Sequence, residues 1–182
     1  MAKCAFLTNL HSVKIQRTFP PWLISGDANL LICAQSEIYK TVISIYSNEE
    51  DSPLPQADEV LLCTPYTTLD MVQTFWKRVF HSEEGKIFCL VNADLLDYDV
   101  SDRAEHSLER HMAMADSNGK KYRLVVICSS ENEYKSRMVA ALDKYHRPAI
   151  YPNVDSIRKY LLNKFQVKTE CIETPACVAD FD

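Results

Sequence analysis

The stretch from Ala57 to Asp97, ADEVLLCTPYTTLDMVQTFWKRVFHSEEGKIFCLVNADLLD, decides the fold, because two short apolar runs in it flank one amphipathic pattern. VLLC (Val60 to Cys63) and IFCLV (Ile87 to Val91) are apolar on both faces. A strand half in water would alternate, so both read as strands of a covered sheet. Between them Leu69, Val72, Phe75, Trp76, Val79 and Phe80 recur at helical spacing. The connection is too long for a two-residue hairpin, so the two strands are expected to be parallel and the crossover right-handed.

The same alternation extends in both directions. Upstream, NLLICA (Asn29 to Ala34) reads as a strand, Ser36 as a helix cap, and Ile38, Val42 and Ile45 as the buried stripe of the helix that follows. Thr67 or Thr68 caps the central helix, with Asp70 in its first turn, and Gly85 closes the loop beyond it. Downstream, a helix from about Val100 to Ala115 turns Val100, Ala104, Leu108, Met112 and Ala115 to one side before Ser117-Asn118-Gly119 ends it. RLVVIC (Arg123 to Cys128) is the next strand. Ser130 with Glu133 reads as a capping box, and Tyr134, Met138, Ala141, Leu142 and Tyr145 continue as a helix up to Arg147-Pro148. Ala149 to Tyr151 reads as a short fifth strand, and Asn153 as the cap of a last helix facing inward through Ile157, Leu161 and Phe165.

Strand ends recur roughly every 30 residues, the length of successive βα units. The expected fold is α/β: a three-layer, open, mainly parallel sheet of about four to five strands with helices on both faces. Residues 1–28 are expected to be irregular, with at most a short strand near Val13 to Ile15. The α/β domain is expected over 29–167, and the acidic tail 168–182 reads as disordered.

Length and composition bound the rest. A chain of 182 residues suits one domain without covalent staples. Its seven cysteines are odd in number and mostly sit in apolar strands, so they read as reduced core residues. The start MAKCAFLTNLHSV is broken by Thr8, Asn9 and His11 and makes neither signal peptide nor span, and Ala2 excludes myristoylation. No stretch approaches the ~20 apolar residues of a membrane helix, which leaves a cytoplasmic chain as the expectation, with no direct membrane insertion. A net charge of −5 without clustered Lys or Arg argues against nucleic acid as a partner.

In an open parallel sheet, ligands bind beyond the carboxyl ends of the strands. A phosphate cradle there needs a glycine-rich turn with converging amides, followed by Lys and Ser or Thr. The place such a loop would occupy reads CTPYTTL, and the whole chain has three glycines. Residual phosphate or magnesium contacts would fall to Thr67, Thr68, Asn92, Asp94 and Asp97, since Asn and Asp follow an apolar strand as magnesium-binding acids do in nucleotide hydrolases. The bland account of the same residues is that Asn and Asp form turns and cap helices at strand ends, and it is preferred. His106 and His111 are five apart, about 140° around a helix, and read as surface residues; a zinc helix spaces its histidines by four. Cys171 and Cys177 lack companion ligands for zinc. Neither a nucleophile elbow nor a marked base occurs. No catalytic residue, metal ligand or cofactor is assigned.

PLPQADEVLLCTPYTT (Pro53 to Thr68), KIFCLVNADLLDYDVSDRAE (Lys86 to Glu105) and YRLVVICSSENEYKSRMVAALDKYHRP (Tyr122 to Pro148) together resemble a stretch of the mysterin family, giant AAA+ RING-finger ubiquitin ligases. The resemblance runs from Asn29 to about Val167. It implies a position in the motor core just before a P-loop-bearing unit, and a degenerate AAA module without a nucleotide site of its own. For the family it implies ATP-driven conformational work and ubiquitin transfer to proteins and bacterial lipopolysaccharide, with links to lipid droplets and antimicrobial defence. The residues that carry those activities have no match here: no RING array, no second zinc-finger module and no Walker lysine. The chain is therefore expected to be a fragment, a partial gene model or a short paralogue, with neighbouring AAA units or other protein chains as its partners.

Overall fold

A computed structural model describes residues 17–82 and 85–165. The expected strand near Val13 to Ile15, the acidic tail, Cys171 and Cys177 lie outside them. Four parallel strands form one sheet: β1 (Ala28–Cys33), β2 (Val60–Leu62), β3 (Phe88–Val91) and β4 (Leu124–Ser129), in the order β1-β4-β3-β2. β4 is central, pairing Leu124 to Ser129 with Ala28 to Cys33 on one side and Leu124 to Ile127 with Phe88 to Val91 on the other.

The order explains the layers. The first connection carries the chain from β1 across to β2, and the next two bring it back through β3 to β4. With one handedness for all crossovers, outward and returning helices fall on opposite faces. Helix α1 (Ile38–Tyr46) accordingly packs with Ile38, Val42, Ile45 and Tyr46 against Cys89, Val91, Val125 and Ile127. Helices α2 (Leu69–His81), α3 (Tyr98–Ser117) and α4 (Arg137–Ala141) cover the other face, where Phe75, Trp76, Val79, Leu108 and Met138 meet Phe88, Leu90, Leu124 and Val126. Alternate residues of β3 and β4 thus serve opposite cores, and for this reason β3 and the stretch Leu124 to Cys128 of β4 are apolar throughout. Trp76 lies at the centre of the second core and donates its indole N–H to the Ala104 carbonyl at 3.2 Å, joining α2 to α3. Helix α5 (Val154–Phe165) contacts α1.

Several local expectations change. Ser36 caps no helix: it sits in a 3-10 turn over Gln35–Glu37, and α1 begins without a side-chain cap. The Ser130–Glu133 box does not form, because β4 continues to Ser129 and the cap of α4 is Ser136, which accepts from the Val139 N–H. The helix expected from Tyr134 to Tyr145 is only the short α4 between 3-10 turns at Glu133–Lys135 and Asp143–Tyr145. Ala149 to Tyr151 is not a strand. The chain touches the free edge of β1 through a single bridge, Leu30 to His146, and Pro148 then removes the next backbone donor. In α5 the inward residues are Ile157 and Tyr160, while Phe165 is 65% exposed. Asn153 does cap α5, its Oδ1 accepting from the N–H groups of Asp155 and Ser156.

Candidate functional site

The crevice that a doubly wound sheet offers to ligands lies where neighbouring strands send their connections to opposite faces. Here that point is between β1, which leads to α1, and β4, which leads to α4. It is closed by backbone, since the Ser130 N–H donates to the Cys33 carbonyl at 2.9 Å. The turn leaving β1, Ala34 to Glu37, has no glycine and no lysine.

One strand over, Asp94 is 8% exposed and stands in a 3-10 turn, Ala93–Leu95, directly after β3. Its Oδ1 accepts the Ser129 N–H at 3.0 Å and its Oδ2 accepts the Asn132 side-chain amide at 3.1 Å. The carboxylate thus ties the end of β3 to the loop after β4. Asp94 also adds to the burial that pushes the Cys63 and Cys128 thiols up to about 12. Asn92, just before it, adopts φ 57° and ψ 45°, a left-handed conformation that Asn tolerates better than most residues. Its side chain is 4% exposed, and its Oδ1 has no hydrogen-bond partner.

Thr67 and Thr68 stand beyond β2, at the opposite edge of the sheet from β1. Thr67 Oγ1 accepts the Thr64 N–H at 2.8 Å, making a closed local turn, and Thr68 caps α2 by accepting from the Met71 N–H at 3.4 Å. Asp97 is exposed and caps α3 by accepting from the Asp99 N–H at 3.1 Å. The five candidates do not converge. Asp94 engages the loop after β4, Asn92 Oδ1 is buried without a partner, and Thr67, Thr68 and Asp97 each serve the helix or turn in which they stand.

Asn132 escaped sequence reasoning although it completes the Asp94 tie. So did Ser101 and Ser136, whose hydroxyls lie 3.3 Å apart, with Ser101 also receiving the Met138 N–H at 3.2 Å to hold α4 on α3. No spacing in the chain signals such pairs, since the partners are 35 to 38 residues apart. Of the two histidines, His106 is exposed, and its Nδ1 lies 2.8 Å from the Asp102 carbonyl; this bond and the Glu105 carboxylate raise its pKa. His111 departs from the surface reading, being half-buried and stacked on Phe80 with ring centroids 5.3 Å apart. Asp102, Glu105 and His106 do cluster, but Arg137 Nε already lies 2.8 Å from Asp102. Cys63, Cys89 and Cys128 are buried free thiols, and Cys33 is half-buried. Among the described residues, no helix is long and apolar enough to cross a membrane.

The geometry so far is that of an α/β module whose strand-end polar residues cap local turns and helices, with Asp94 alone among the five candidates reaching across to the loop after β4. Comparison with known proteins supplies the lineage. The RNF213 AAA domain model matches residues 28–147. The E3 ubiquitin-protein ligase RNF213 of Mus musculus is 29% identical over 184 residues, covering 99% of this chain and 4% of the relative. The protein of the same name in Homo sapiens is 28% identical over 180 residues, covering 97% and 3%. The E3 ubiquitin-protein ligase rnf213-beta of Danio rerio is 30% identical over 169 residues, covering 90% and 3%. The chain spans only a few hundredths of the length of these relatives. Its parallel sheet and the match over most of that sheet agree, and the chain belongs to the RNF213 (mysterin) AAA domain family.

Proposed function

We propose that the chain is a non-catalytic structural and interaction module of a mysterin-type AAA+ E3 ubiquitin ligase, packing against neighbouring AAA units in the cytoplasm. The observation that carries this reading is the engagement of Asp94. Each oxygen of Asp94 already accepts from a protein donor, so the carboxylate is used to tie the end of β3 to the loop after β4. The turn after β1 supports it further, having neither the glycines that let amides converge on a phosphate nor a lysine to neutralise one. ATP-driven work and ubiquitin transfer would then belong to other parts of the assembly.

One observation favours a second reading, a nucleotide-responsive AAA domain with a degenerate site. The buried, unpartnered Asn92 Oδ1 stands at the strand end where such a site would lie. Titration calorimetry of the chain with ATP and magnesium separates the two. The structural reading expects no saturable heat. Micromolar binding would overturn it, and loss of that binding in Asp94→Asn, which retains an acceptor for the Ser129 N–H, would locate the site.

A further inference from the structure

Helices α2 and α3 run in the same direction, with Trp76 meeting Ala104 and, further along both, Phe80 meeting His111. On their solvent side two clefts of about 280 and 290 Å³ share Gln73 and Arg110, so one channel follows the seam between the helices. Lys77 enters it from α2, and Arg103, His106 and Arg110 enter it from α3. The carboxylate among its lining residues, Asp102, is already held by Arg137 at 2.8 Å. Arg103 keeps a loose pair with Asp99 at 3.6 Å, whereas Lys77 and Arg110 have no ion-pair partner among the described residues. Past Arg110 the channel turns apolar, where His111 stacks on Phe80 and Met114 is 62% exposed. The chain as a whole carries a net charge of −5, so this channel is positive against the composition.

The opposite charge stands on another flank of the same helix. Glu109, Ala113 and Asp116 are exposed and fall at i, i+4 and i+7, which makes them one ridge, turned toward the segment after α4. Neither acid has an ion-pair partner among the described residues. Arg103 and Arg110 are seven residues apart, as are Glu109 and Asp116, so each pair spans about 10 Å of helix axis. Channel and ridge match in charge and in spacing, yet within one molecule they face different ways and cannot meet.

A second molecule removes that obstacle. With its α3 laid parallel in the channel, its Glu109 reaches Arg103 and its Asp116 reaches Arg110, while the small Ala113 between them lets the helices approach closely. We propose that the α2–α3 channel is a docking surface for the acidic α3 ridge of a second copy of this chain. Each copy offers one channel and one ridge on different flanks, so the contact is heterologous and repeats from copy to copy. The inference rests on the reading of the chain as a packing module and names the two surfaces through which it packs.

Exposed ion pairs are individually weak, so the association is expected to be weak and sensitive to salt. Sedimentation velocity over a concentration series at low ionic strength reads it. The mean mass is expected to rise with concentration and to fall back when salt is added. The double variant Lys77→Glu, Arg110→Glu reverses the channel, and the double variant Glu109→Lys, Asp116→Lys reverses the ridge. All four side chains are exposed, so both variants keep the fold, which circular dichroism verifies. Each variant alone is expected to self-associate about tenfold or more weakly than the wild-type chain, because like charges then face each other. An equimolar mixture of the two restores opposite charges across one contact and is expected to form a heterodimer that neither forms alone. A wild-type chain that stays monomeric throughout, a variant that associates as well as the wild type, or a mixture no heavier than its separate components would overturn the proposal. The reading of the chain as non-catalytic would survive any of these results, since the ATP titration tests it separately.

Discussion

The Asp94 carboxylate holds two donors that lie 35 and 38 residues further on, one of them the backbone N–H of a fully buried residue. Asp94→Ala therefore strands the Ser129 N–H away from water and is expected to cost about 1–3 kcal/mol, read as a lowered urea midpoint at unchanged slope. A loss well below that would mean the tie is slack and the carboxylate is available for other work. Buried thiols set the alkaline behaviour. Burial pushes Cys63, Cys89 and Cys128 up to about 12, whereas an unfolded thiol titrates near about 8.5. The unfolded chain thus loses these protons first. Stability is expected to be level below that range and to fall as pH rises above it, by up to about 1.4 kcal/mol per pH unit for each thiol. Urea midpoints from pH 7 to about 10, with Cys89→Ala reducing the slope, check this. Asp94 was legible as a notable residue, because an acid after an apolar strand stands out. Its use was not, because that depends on Asn132 and on the register of a strand pairing that no local pattern encodes.

At the scale of elements, periodicity served wherever packing and propensity agree. The stripe Val72, Phe75, Trp76, Val79 and Phe80 is buried as its spacing implied, and Thr68 caps it. Thr68→Ala removes the acceptor of the Met71 N–H and is expected to lower stability by about 1 kcal/mol, with Thr68→Asn restoring it; an unchanged thermal midpoint in Thr68→Ala would show that the cap adds nothing. Legibility failed where elements are short. The box at Ser130 and Glu133 has the right residues, but β4 extends to Ser129 and the following turn is fixed by the Asn132 N–H donating to the Ser129 carbonyl. Ala149 to Tyr151 has strand composition, yet the preceding Pro148 and the exposed position of Tyr151 leave it no ladder to join. In α5 Ile157 is buried as expected and Leu161 is half-buried, but Tyr160 is the most deeply buried residue and Phe165 is exposed, as this helix packs against α1.

For the whole molecule, strand direction and the two helical layers followed from crossover length, but the order β1-β4-β3-β2 did not, since β1 is as apolar as an interior strand and nothing in it announces an edge. Nor did the sequence disclose what fastens the irregular start of the described chain. Arg17 is 7% exposed, and it donates through Nε to Glu59 Oε1 at 2.8 Å and through its terminal nitrogens to the carbonyls of Pro53 and Leu54 at 2.7 and 3.0 Å. Glu59, fully buried, also accepts the Gln56 N–H at 2.8 Å, and the guanidinium lies 4.7 Å from the Tyr46 ring centroid. One ion pair thus joins the segment before β1, the loop before β2 and the end of α1, regions that also meet in one apolar cluster through Leu23, Ile45, Tyr46 and Val60. Desolvating both charges is costly, and the gain from their attraction is largely cancelled, so the pair adds modest net stability while neither member can be lost alone. Glu59→Gln leaves the guanidinium buried without its counter-charge and is expected to cost about 3–5 kcal/mol in urea unfolding. Replacing both, as Arg17→Met with Glu59→Leu, removes the isolated charge and is expected to recover a large part of that loss, although the Pro53 and Leu54 carbonyls then lack their donor. If Glu59→Gln instead unfolds within about 1 kcal/mol of the wild-type chain, water reaches the pair, and the start of the chain is held by its apolar contacts at Leu23 rather than by charge.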